Sequence, residues 1–133
     1  MQYVIMLAIV LGLAVADFVT GIFKGYVTGQ LSSSKMRKGG VNKICELIIM
    51  ATACGLEFGI RQLGQYYDSE LLAAITGTVA AIVVFGYIVI MELISILENY
   101  AEISPEAAWV GKLLKRLKNV NDKEDSSNDE KRT

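Results

Sequence analysis

An all-α integral membrane protein, with three transmembrane helices and a C-terminal basic amphipathic helix, is the fold class this sequence predicts. Three observations carry it. Of 133 residues, 53% are hydrophobic and the mean hydropathy is +0.41, high for a soluble domain with 20% charged residues. No Asp, Glu, Lys or Arg occurs from Leu71 to Met91, a run that reaches across ~30 Å of hydrocarbon at about 1.5 Å per residue. Lys and Arg also collect in two of the regions flanking apolar segments and largely avoid the others, the bias that orients membrane helices. A soluble helical core of such length would show a polar stripe. So much apolar surface excludes disorder over roughly the first hundred residues, and the length leaves room for one domain.

The membrane domain is expected over residues 1–100. Its first apolar segment runs from about Tyr3 to Phe23 and is broken only by Asp17. A basic connection with Gly39-Gly40 follows, holding Lys24, Lys35, Arg37, Lys38 and Lys43 and no acid. The second segment, Ile44 to Ile60, is shorter and carries Glu46 and Glu57. A polar link from Arg61 to Glu70 leads into the charge-free third segment, 71–91, whose helix is expected to extend to about residue 100. An amphipathic cytoplasmic helix is expected over 104–118, with Ser104 as N-cap, Pro105 in the first helical position and Glu106 at the positive end of the dipole. On its wheel Trp109, Val110, Leu113, Leu114 and Leu117 form one arc, and Lys112, Lys115, Arg116 and Lys118 the other. Residues 119–133 read as a disordered polar tail.

Orientation follows from the cations. The first connection holds five, the second only Arg61, and the region after the third segment seven. Because Lys and Arg collect on the cytoplasmic side, the N-terminus is expected outside and the C-terminus in the cytoplasm. Two alternatives compete. Ala14-Val15-Ala16 has the form of a signal-peptidase site, but the missing basic n-region and the apolar stretch beyond Asp17 oppose cleavage. The second segment, short and carrying two carboxylates, would also suit a re-entrant helix; the outside character of Arg61, Asp68 and Glu70 opposes that.

Small residues recur at four-residue spacing in each segment: Ala8, Gly12, Ala16 and Thr20 with neighbouring Gly21; Ala51, Gly55 and Gly59; Ala73, Gly77 and Ala81. Such ridges let helix backbones approach closely, and close packing associates helices where lipid is as apolar as Leu. Packing within one three-helix protomer accounts for part of them; the rest is expected to serve a homo-oligomer. An ionised carboxylate at mid-membrane costs about 2.5–3.5 kcal/mol on translocon scales, so Asp17 and Glu57 are expected to face protein or water. Lys24, two turns beyond Asp17, is the expected partial counter-charge, by snorkelling. Lys35, Arg37, Lys38 and Lys43, with Trp109, Lys112, Lys115 and Arg116, are expected at the anionic lipid surface.

Little supports chemistry. There is no His, the commonest general base and metal ligand. No nucleophile elbow, P-loop or metal-ligand spacing occurs, so no catalytic residue, cofactor or metal is expected. Cys45 and Cys54 lie nine residues apart, on opposite faces of one helix and roughly 13 Å apart along it, beyond disulfide reach. Beside a membrane, the basic patch meets anionic lipid more simply than nucleic acid.

Asp17-Phe-Val-Thr20-Gly21-Ile-Phe-Lys24, then Leu31-Ser-Ser-Ser34-Lys35, Lys38-Gly39-Gly40 and Lys43, resemble the phage-lysis and toxin-secretion holin family. Glu92-Leu-Ile-Ser95-Ile-Leu-Glu98-Asn99, with Pro105 and the Leu/Lys-rich helix after it, extends the resemblance to about residues 14–118. Tyr100-Ala101-Glu102 departs from a turn that often contains Gly in that family. The resemblance implies a protein that assembles into homo-oligomers in the bacterial cytoplasmic membrane. There it would open lesions through which a cell-wall hydrolase, or a toxin, passes. Two other classes fit less of the sequence. An ion or small-molecule channel would use intramembrane carboxylates, but no inverted repeat or broken-helix pair is present; an antiholin-type regulatory subunit is the other.

Overall fold

The computed structural model describes residues 1–67 and 69–130, and excludes the side chains of residues 70, 72–79 and 121–130. It is all-helical: α1 Gln2–Val27, α2 Ser33–Tyr66, α3 Glu70–Ile103 and α4 Ala108–Glu130. Among the described residues, two helices are long and apolar enough to cross a membrane, Gln2–Val27 and Ala80–Ile103. Composition alone does not place α2 in that class, because it carries Lys43, Glu46, Glu57 and Arg61.

Each helix outruns its apolar segment, since hydropathy marks hydrocarbon length and not where hydrogen bonding stops. α1 ends in a Schellman motif: Gly29 adopts φ +68, Gly29 N–H donates to the Tyr26 carbonyl, and Gln30 N–H donates to that of Gly25. Leu31 then folds over Gly25, where an added Cβ would meet Leu31 Cδ1 at 3.1 Å. The largest departure from expectation is the basic connection. Residues 33–43 are the first three turns of α2, Gly39 and Gly40 included; two glycines cost about 1 kcal/mol each in a helix, which the surrounding Lys, Met and Arg and the packing beyond offset.

A second difference lies at the α3–α4 corner. Ser104 is the C-cap of α3, with φ −130 and ψ 78, and not the N-cap of α4. Pro105 disfavours the helical region for the residue before it, so α3 stops there, and Ala107 N–H donates to the Ser104 carbonyl in a turn. α4 begins three residues beyond Pro105 and runs to Glu130, into the stretch expected to be a polar tail. It packs on α3 through Val110, which is fully buried. Tyr100 and Trp109 meet with ring centroids 6.1 Å apart, and Lys118 pairs with Glu98 at 2.6 Å.

α1, α2 and α3 form an up-down-up bundle. Tyr3 meets Glu57 and Asp17 meets Lys43, which makes α1 and α2 antiparallel. Asp17 meets Asn99 and Lys24 meets Glu102, which makes α1 and α3 parallel. Between these polar pairs lies an apolar core of Val10, Met50, Cys54 and Ile88, flanked by Leu7, Leu47, Val84 and Phe85. The outside is apolar as well: Val4, Ile9, Val15, Ile48, Phe58, Ile82 and Val83 are exposed. A soluble bundle hides such residues and displays its charges; here Asp17, Glu57 and Glu92 are buried.

Candidate functional site

Two polar layers interrupt the seam where the three helices meet. Both are set by seven-residue spacing, which returns a side chain to nearly the same helix face. On α1 that spacing links Tyr3, Val10, Asp17 and Lys24; on α2 it links Lys43, Met50, Glu57 and Gly64. Tyr3 and Asp17 are fourteen residues apart, as are Lys43 and Glu57. Antiparallel pairing therefore brings both pairs into register about 21 Å apart.

The first layer is centred on Lys43. Its ammonium lies 2.8 Å from Asp17 Oδ2, 2.6 Å from Glu92 Oε1 and 3.4 Å from Glu46 Oε2. Three acceptors match its three N–H donors, and they come from all three helices. Asp17 is held on its other side as well. Asn99 Nδ2 donates to Asp17 Oδ1 at 3.0 Å and lies 3.3 Å from Thr20 Oγ1, whose hydroxyl donates to the Asp17 carbonyl. Glu92 is 1% exposed, and its Oε2 has no hydrogen-bond partner.

The second layer is smaller. Tyr3 donates its phenolic O–H to Glu57 Oε1 at 3.0 Å, and Arg61 Nη2 reaches the same oxygen at 3.1 Å from one turn along α2. Glu57 is 1% exposed. Among the described residues, this layer sets the Glu57 carboxylate against the Arg61 guanidinium, whereas the first sets three carboxylates around one ammonium.

A crevice of about 480 Å³ leads to the first layer from the end of the bundle that carries the α1–α2 connection. Its walls include Lys24, Lys35, Met36 and Glu102, and its floor is Asp17, Lys43 and Asn99. Among the described residues, no group of three or more His, Cys, Asp and Glu side chains is placed to hold a metal.

The structure redistributes the residues singled out from sequence. Lys24 does not compensate Asp17; it pairs with Glu102 at 2.8 Å, two turns nearer the end of α1. Lys43, expected at the lipid surface, is the counter-ion of Asp17, because α2 begins ten residues before it and carries it inside. Lys35, Arg37, Lys38, Lys112, Lys115, Arg116 and Trp109 are exposed. Of the small residues, Ala8, Gly12, Ala16, Ala51 and Gly55 are exposed and Gly59 half-buried; an added Cβ at Gly12, Gly55 or Gly59 would meet nothing within 4 Å. Gly21 faces Asn99 Nδ2, 3.7 Å from where its Cβ would be, and Ala81 is fully buried, so both sit inside the bundle. The surroundings of Ala73 and Gly77 lie outside the described residues. Glu92 and Asn99 were missed as site residues. The available signal was Asn99 seven residues beyond Glu92, the first charge after the long apolar run. Cys45 is exposed and Cys54 buried, both free.

A bundle that turns carboxylates inward and apolar side chains outward is built for lipid, and comparison with known families supplies the rest. The model of the bacteriophage holin family matches residues 2–119. The chain belongs to the bacteriophage holin family. The match takes in α1, α2, α3 and the basic half of α4, so every residue of both polar layers lies within the part shared with other holins. No curated protein and no solved structure matches the chain.

Proposed function

We propose that this holin inserts in the bacterial cytoplasmic membrane with three crossings, N-terminus outside and C-terminus inside. There it associates with copies of itself and opens lesions that release a cell-wall hydrolase or, in a toxin-secreting host, a toxin. The observation that carries the proposal is the division of faces. Of the four charges that keep α2 from reading as apolar, Glu57 and Lys43 are turned into the bundle, which lets that stretch of α2 lie among hydrocarbon beside α1 and α3. Gly12 on α1 and Gly55 and Gly59 on α2 have open space where a Cβ would be, which suits close approach of a second protomer.

Opening is then a change of partners. While the three helices stay packed, Asp17 and Glu92 share Lys43 and Glu57 pairs with Arg61 within one protomer. In an assembly dense enough to exclude lipid, separating α2 from α1 and α3 would expose these acids to water, where ions are well solvated, and so line a lesion with charge. The cytoplasmic rim would be held at anionic lipid by Lys35, Arg37 and Lys38 and by the basic face of α4, each exposed cation near the surface contributing about 1 kcal/mol. The hydrolase or toxin passes through without needing a docking site, and neither cofactor nor metal takes part.

Inducible expression in bacteria that also produce a folded cytoplasmic enzyme tests this reading. Abrupt loss of viability with release of the enzyme is expected. Selective ion flux with the enzyme retained would replace the reading with a channel; growth delay only in combination with another holin would replace it with an antiholin.

A further inference from the structure

The crevice at the α1–α2 end of the bundle is charged unevenly along its depth. Around its floor three acids, Asp17, Glu46 and Glu92, face the single ammonium of Lys43. Toward its mouth the balance reverses, with Lys24 and Lys35 on the lining against Glu102. Lys24 is paired with Glu102, whereas Lys35 is exposed and makes no ion pair among the described residues. The N-terminus of α2 opens on the same mouth through Ser32 and Lys35. Ser32 gives it no side-chain cap and its first turn holds no acid, so the leading N–H groups add positive potential there. The floor supplies a second, independent observation. Asn99 is 8% exposed and lines the crevice. Its Nδ2 is spent on Asp17 and Thr20, but its Oδ1 accepts no hydrogen bond among the described residues and is not enclosed by protein. A buried amide oxygen left so calls for a donor that enters through the crevice.

This gradient suits a ligand with its cation directed inward and its anion outward. Asn99 and Glu102 are three residues apart, about 4.5 Å along α3, a spacing that a two-carbon link between ammonium and phosphate covers. The cation must bring N–H donors, because the floor offers oxygens. Phe18 is the one aromatic side chain among the described lining residues, and a quaternary ammonium is held by a cage of rings. Leu31 and Met36 make part of the lining apolar, and Lys24 ends the apolar run of α1, which puts the mouth at the edge of the hydrocarbon. We infer that the crevice binds the headgroup of one phospholipid carrying a primary ammonium, taken from the leaflet at this end of the bundle. The ammonium donates to Asn99 Oδ1 and faces Asp17; the phosphate meets Lys35 and the leading N–H groups of α2. Anionic lipids, drawn to the exposed cations of the whole surface, lack the inward cation and gain nothing from the floor. A lipid bound only while the three helices are packed stabilises the packed protomer. The inference rests on the bundle lying in a bilayer, as the proposed function does, but not on the opening of lesions.

Native mass spectrometry of the full chain tests it, after release from bilayers of equal parts phosphatidylethanolamine, phosphatidylcholine and phosphatidylglycerol. Phosphatidylethanolamine is expected to stay bound, several-fold above either other lipid. Gly39 lines the crevice and Gly40 does not, and an added Cβ at either would meet nothing within 4 Å. Gly39→Leu should therefore lower the retained lipid several-fold, and Gly40→Leu should leave it unchanged. Lys35→Glu should lower it as well, and decides the matter if Gly39→Leu fails to accumulate. The absence of a preference for phosphatidylethanolamine overturns the inference, as does retention that survives either substitution or an equal loss in Gly40→Leu. Displacement of the lipid by free phosphoethanolamine overturns it too, since the ligand would then be a soluble one. A chain that keeps the lipid yet releases no enzyme on induction refutes lysis and leaves the headgroup site standing.

Discussion

Lys43 is the residue on which three helices depend, and its ammonium has no second candidate among the described side chains of that layer. Replacing it with Met keeps the stem and removes the charge, leaving Asp17 and Glu92 facing each other across apolar surroundings. Removing one partner from a buried ionic group costs about 3–5 kcal/mol. Lys43→Met is therefore expected to lower the thermal midpoint in detergent and the level of accumulated protein, and adding Glu92→Gln to recover part of both. No change on Lys43→Met would show that the cluster does not hold the bundle. Asp17→Asn keeps the size and loses the negative charge; the time of lysis after induction is expected to shift, and unchanged timing with unchanged lesion size would remove Asp17 from the mechanism. Asp17 and Glu57 were legible in the sequence because each is a charge inside an apolar run. Lys43 was not: counted with Lys35, Arg37 and Lys38 it resembles a surface cation, and only the early start of α2 carries it inside.

The elements differ in what the sequence disclosed about them. α1 and α3 were plain from hydropathy, and the apolar arc of α4 from its wheel. The start of α2 was hidden by two glycines that usually mark a loop, and the start of α4 by a serine and a proline that suit an N-cap as well as a helix stop. The seven-residue spacing of Tyr3, Val10, Asp17 and Lys24 was present in the sequence, yet it reads as a seam only once apolar and charged residues are allowed to share it. Two expectations belong here. Gly12→Leu and Gly55→Leu fill open space outside the protomer, so fold stability should not fall and should rise by up to about 1 kcal/mol from helix propensity. Self-association, followed by cross-linking, should fall and lysis should be delayed. A loss of folding would place those glycines inside the bundle instead. Val110→Ala hollows the one fully buried position among the described side chains of α4, a change of about 1–3 kcal/mol by the scale of core truncations. Protease protection of α4 should fall, whereas Trp109→Ala, exposed, should affect membrane-surface binding more than protection.

Taken whole, the molecule reverses the usual order of a soluble bundle, with carboxylates and a lysine on the axis and Val, Ile, Phe and small residues outside. Composition gave the membrane class at once, and the family followed from a few short blocks. The internal pairing did not follow, because it depends on register between helices far apart in the chain. That arrangement makes a sharp claim about surfaces: Gly12 is on the outside, where the proposed assembly would place a second protomer, and Val10, two residues away, is on the inside. Cysteine cross-linking in native membranes, with Cys45 and Cys54 replaced by Ser, tests it directly. Gly12→Cys should give a ladder of dimers and larger species as lysis approaches, and Val10→Cys should remain monomeric. A ladder from Val10→Cys, or a Gly12→Cys protein that stays solitary at lytic density, would contradict the account.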